Sequence, residues 1–158
     1  MKISVFDSAL RLPAISTTAA NAYRDHIEKM ERMVDAALSK KADIWELIGY
    51  NSLSLMYDNH RYHVRCMSTI FCFNAYNLLT PAIVWLYRAY HSSGFSYKYF
   101  PVDFRSWQKA LSDILPPEAA AEINQIYQWM IDHHEEFLLL ADSPDYQTLP
   151  DTNDFQER

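Results

Sequence analysis

Residues 58–94 read DNHRYHVRCMSTIFCFNAYNLLTPAIVWLYRAYHSSG, and the spacing of their apolar side chains decides the fold. Val64, Met67, Phe71, Ala75 and Leu78 recur at three- and four-residue steps, which predicts one long helix opening at Asp58 or Asn59. His60, His63 and Asn74 lie along the same side. Thr80-Pro81 interrupts the run; Pro81 suits the first turn of a second helix, where its missing N–H costs nothing. Ile83, Leu86, Tyr87 and Tyr90 supply that helix's packing side, and Gly94 suits a left-handed residue closing it. Histidines stand at the entry of the first helix and, as His91, at the exit of the second. The pair therefore predicts a site in which His60 or His63 faces His91 across a pocket.

Helical periodicity continues on both sides. Ser16, Thr17 and Thr18 offer capping hydroxyls for a helix of roughly two dozen residues, whose stripe is Tyr23, Ile27, Met30, Val34 and Leu38. Lys40 and Lys41 suit the negative end of its dipole. A shorter piece runs from Asp43 to Gly49. Beyond Gly94, Phe95-Ser-Tyr-Lys-Tyr-Phe-Pro101 reads as an aromatic loop folded over the core, and Asp103 as the cap of a helix ended by Pro116-Pro117. A last helix runs from Glu118 to about Ala141. Residues 1–16 are a lead-in, 17–141 one all-α domain of about six helices, and 142–158 a polar acidic tail.

Composition narrows the function classes. Apolar residues at 49% and aromatics at 15% suffice for one continuous core. Gly49 and Gly94 are the only glycines, and no GxGxxG, GxxxxGK or GxSxG occurs, so phosphate loops and nucleophile elbows are excluded. A net charge of −6 gives no basic surface for a nucleic acid. No apolar run reaches the ~20 residues that span a bilayer. The N-terminus lacks the run and cleavage site of a signal peptide, and Cys66 and Cys72 form no disulfide framework, so a cytoplasmic protein is expected.

His60 and His63, at i and i+3, can present both imidazoles on one face and ligate a metal with His26, Glu28 or the His133–Glu136 cluster. The simpler reading leaves them hydrogen-bonded to neighbouring backbone or half exposed at the helix entry. His91 at a helix C-terminus is explained by the dipole alone, yet its place also suits an iron ligand. The surrounding rings (Trp85, Tyr87, Tyr90, Phe95, Tyr97, Tyr99, Phe100 and Trp107) are core material whose phenols need partners. No Ser/His/Asp order or carboxylate pair points to an enzyme.

A long helix with early histidines, the turn Leu78-Leu-Thr-Pro81, a helix ending in His91, the helix Pro101-Val-Asp-Phe-Arg-Ser-Trp107 and a long closing helix follow one another in an order that resembles the globin superfamily. The interval from His63 to His91 (91 − 63 = 28) resembles that between its distal and proximal histidines. The resemblance covers residues 17–141 by architecture and spacing. It implies haem as cofactor, with His91 as iron ligand, His63 as distal residue and His60 as the alternative. The implied pocket is lined by His60, His63, Met67, Phe71, Tyr87, His91, Phe95 and Trp107. The chain departs from globins in its aromatic loop and in Tyr87, bulkier than the residue that packs beneath a porphyrin. It is similar also to globin-related bacterial sensory domains, some without haem.

Three functions follow as expectations. The first is a globin-like sensory protein that holds a small hydrophobic ligand, haem in its sharpest form, between the His60/His63 helix and the His91 helix, and signals through a partner surface. The second is a haem-free homodimeric interaction module using the last helix and the aromatic loop. The third is a helical metalloprotein built on His26, His60, His63 and the His133–Glu136 cluster.

Overall fold

The computed structural model describes residues 3–146, and among them every regular element is helical. The all-α class is as the periodicity predicts. The helix count is not: among the described residues nine α-helices and one 3-10 turn replace the expected six or so. They are α1 (Val5–Leu10), α2 (Thr17–Asp25), α3 (Ile27–Ser39), α4 (Ile44–Leu47), α5 (Leu53–Phe73), α6 (Leu79–Ser92), α7 (Tyr99–Ile114), α8 (Pro117–Asp132) and α9 (His134–Asp142), with the 3-10 turn at Tyr76–Leu78.

Two of the extra helices arise by kinking. The first expected helix breaks at His26 and the last at His133, and the two breaks have the same construction. In each, the imidazole Nδ1–H donates to the carbonyl four residues back, Ala22 at 2.7 Å and Trp129 at 2.8 Å. The ring satisfies a carbonyl at the break, so the helix bends without glycine or proline. A third extra helix, α1, lies inside the lead-in. It starts where the Ser4 hydroxyl accepts from the Asp7 N–H at 3.1 Å, and it packs on α6 and the 3-10 turn. Trp129 Nε1–H donates to the Ser8 hydroxyl and the Tyr76 hydroxyl donates to the Pro13 carbonyl, which straps residues 4–15 to the bundle.

α7 opens at Tyr99, one turn earlier than expected, so half of the aromatic loop is helix. Phe95, Tyr99 and Phe100 are fully buried. Asp103 consequently sits inside α7 and is buried, not at its cap. Pro81 lies in the first turn of α6 and Gly94 closes it at φ +108°, both as the sequence predicts. Asn74 ends α5 in the left-handed region at φ 49°, and its side chain accepts from the Ile15 N–H at 3.1 Å. The expected tail, residues 142–158, lies largely outside the described residues.

The core is layered around α5. α3 packs on α5 and α7, α2 on α5 and α8, α7 on α8, and α6 on α9. α5 and α6, consecutive in the chain, are not among the closely packed pairs, and a cleft separates them. Their open ends are tied where Gly49 meets Gly94. Gly49 has φ +65°, and a Cβ there would overlap the Gly94 carbonyl. Asn51 Nδ2 donates across this contact to Ile48 and Ser93 carbonyls, at 2.7 Å each, and Ser96 N–H donates to the Leu47 carbonyl at 2.9 Å. No helix among the described residues is long and apolar enough to cross a membrane.

Candidate functional site

His60 and His63 occupy adjacent turns of α5 but serve different neighbours. His60 Nδ1–H donates to Asp35 Oδ1 of α3 at 2.6 Å. Tyr99 gives its single proton to Asn59 Oδ1 at 2.8 Å, so its oxygen accepts from His60 Nε2–H at 3.0 Å. Asp103 Oδ1 lies 3.3 Å from the same nitrogen without hydrogen-bond geometry. Both ring nitrogens thus carry protons, and the imidazolium sits between two carboxylates. Burial alone would lower its pKa, but Asp103 and Asp35 outweigh that and hold it at about 9.

His63 belongs to a neutral chain. Its Nε2 meets the Tyr127 hydroxyl at 2.8 Å, and Tyr127 meets the Tyr23 hydroxyl at 2.7 Å, linking α5, α8 and α2. Burial pushes the His63 pKa down to about 4. The same burial pushes the Tyr23, Tyr99 and Tyr127 phenols up. Trp107 packs its ring against both histidines, 6.1 Å from His60 and 5.1 Å from His63. Three members of the expected pocket, His60, His63 and Trp107, are therefore together.

The others are not. His91 is exposed; its Nδ1–H donates to the Phe95 carbonyl at 2.8 Å and its ring stacks on Tyr97 at 3.8 Å. Tyr87 stacks on Phe100 at 4.0 Å and its hydroxyl meets His134 Nδ1 at 2.7 Å. Phe95 packs edge-on to Tyr99, and Met67 and Phe71 are core, Phe71 edge-on to Tyr23. A continuous run of rings joins the two supposed iron-facing residues, from His63 through Phe104, Tyr87 and Tyr97 to His91. A hollow beside His63, Met67 and Phe104 holds about 20 Å³. A flat cofactor needs a cleft of roughly 300 Å³ or more, so the residues in this arrangement do not fit a porphyrin between His63 and His91. Nor do His26 and the His133–Glu136 cluster join His60 and His63: among the described residues no three His, Cys, Asp or Glu side chains converge as metal ligands.

The large concavity lies on the outer side of the same helix pair. A groove of about 840 Å³ runs between α5 and α6, walled by Tyr62, Cys66, Thr69 and Ile70 from one side and Leu78, Pro81, Ala82 and Trp85 from the other. Arg61 and Arg65 stand on its rim. Tyr62 and Trp85 rings meet at 5.1 Å across one end. Burial in this wall pushes the Cys66 thiol up, which keeps it protonated and inert. Sequence reasoning followed the histidines to the inner face of α5 and did not anticipate the apolar concavity on the outer side of the same two helices. The outward stripe Tyr62, Cys66, Thr69/Ile70 was available as a second apolar set at helical spacing on α5. Asp35, Asp103, Tyr99 and Tyr127 were missed as partners of the histidines, and Tyr23 as the partner of Tyr127.

No protein-family model, no curated protein and no solved structure matches this chain.

Proposed function

We propose that this protein is a helical sensory protein that takes a small hydrophobic ligand in the α5/α6 groove and reports its presence through a partner surface. One observation carries the reading: an apolar surface groove of about 840 Å³ runs between two consecutive helices whose backbones are not among the closely packed pairs. That volume is within the range of small-molecule sites, and its walls are apolar with polar groups at the rim. Filling it would favour one spacing of α5 and α6, a population shift that a partner can sense. The order of helices that resembles globin-like sensors fits this role, with the ligand displaced from the histidine side to the outer side.

The test is saturable binding of a neutral fluorescent apolar probe, N-phenyl-1-naphthylamine, to the folded protein. Ala82→Trp, which fills the half-buried middle of the groove, should lower probe affinity at least tenfold and leave the helical circular dichroism intact. Absence of saturable binding, or equal binding by the filled variant, overturns the proposal.

A further inference from the structure

The groove has a charged neighbour. At the junction of α2 and α3 a polar hollow of about 510 Å³ is lined by Arg24, Lys29 and Arg32 together with Asp25, His26 and Glu28. Arg65 lines this hollow and the apolar groove alike, so one side chain forms the wall between them. Four cations meet two lining carboxylates here, with Glu31 paired to Arg65 as a third, in a protein whose net charge is −6. Arg24 is spent on Asp25 at 3.6 Å between two exposed side chains, and Arg65 on Glu31 and the Arg61 carbonyl. Lys29 and Arg32 are exposed and make no ion pair among the described residues. A guanidinium has five N–H donors, so Arg65 retains capacity for a further oxygen.

A second basic hollow, at Lys40, Lys41, Arg105 and Lys109, shares no wall with the groove. Contiguity separates the two. Resting on the groove reading above, we propose that the ligand is a single-chain anionic amphiphile. Its alkyl chain lies between Tyr62, Ile70 and Trp85, and its phosphate or carboxylate head is held by Arg65, Lys29 and Arg32. Apolar burial supplies the bulk of the affinity, and the cations select the head by charge-assisted hydrogen bonds. The groove wall on α5, from Arg61 to Ile70, is about 14 Å long at 1.5 Å per residue, which suits a chain of medium length.

Titration calorimetry with decyl phosphate, decanol and inorganic phosphate, below the aggregation concentration of the amphiphiles, tests the assignment. Decyl phosphate should bind at least tenfold tighter than decanol at low salt. The double variant Lys29→Ala/Arg32→Ala should abolish that advantage while decanol binds as before; Arg105→Ala should change neither. Equal binding of decyl phosphate and decanol, or an advantage that survives in the double variant, overturns the head site and leaves the apolar groove standing. Inorganic phosphate binding as tightly as decyl phosphate overturns the link between hollow and groove. Failure of both alkyl ligands overturns the groove reading itself.

Discussion

Two histidines one turn apart on α5 carry opposite electrostatic instructions. His60 is held protonated up to about pH 9, against an ordinary value of 6.5. The stability it contributes is fully present below pH 6.5 and is lost as pH rises through about 9. His63 refuses a proton until about pH 4, whereas the unfolded chain takes one near 6.5. The folded state therefore loses ground as pH falls from about 6.5 to about 4. Together they predict maximal stability close to pH 6.5, read as the midpoint of urea unfolding across pH 4–9. His60→Gln should flatten the alkaline limb and His63→Gln the acid limb; a single variant that flattens both would refute the division. Neither role was legible beforehand. Asp103 reads as a cap because the aromatic run before it looks like a loop. Once α7 starts at Tyr99, Asp103 falls midway between Tyr99 and Trp107 on the buried face, facing His60.

At the scale of elements, apolar periodicity located the long helices and the Pro81 and Gly94 boundaries, because burial of a stripe and the needs of proline and glycine are local properties. It misplaced the ends of α5, which opens at Leu53 rather than Asp58 or Asn59 and closes at Asn74, before Ala75 and Leu78. The kinks at His26 and His133 were not legible. They carry no glycine or proline, and only the fold shows an imidazole bonding its own helix. The tie between the α4–α5 and α6–α7 connections was equally hidden, since it joins residues distant in sequence. It makes a sharp prediction. Gly49→Ala meets both a positive φ and the Gly94 backbone, so it should destabilise by about 3 kcal/mol. Urea unfolding should show a lower midpoint with an unchanged slope. A midpoint equal to the parent's would mean that the two connections are free to part.

For the whole molecule, the polar interior and the apolar exterior of α5 divide the labour. The inner face spends Asn59, His60 and His63 on tyrosines and carboxylates of α2, α3, α7 and α8, and the outer face is left for the groove. The glycine contact then acquires a meaning beyond stability. α5 and α6 are joined at one end by the 3-10 turn and at the other by Gly49, Asn51, Ser93 and Gly94. A cleft fastened at both ends cannot gape like scissors; its walls part only along the middle, its length is fixed, and it works as a ruler. For a series of alkyl phosphates from six to sixteen carbons, each methylene should add about 0.8 kcal/mol of affinity until the groove's length is used up, and nothing thereafter. Calorimetry that finds steady gains to the longest chain would contradict the ruler. The two glycines of this chain, set back to back, would then decide how long a molecule the protein can measure.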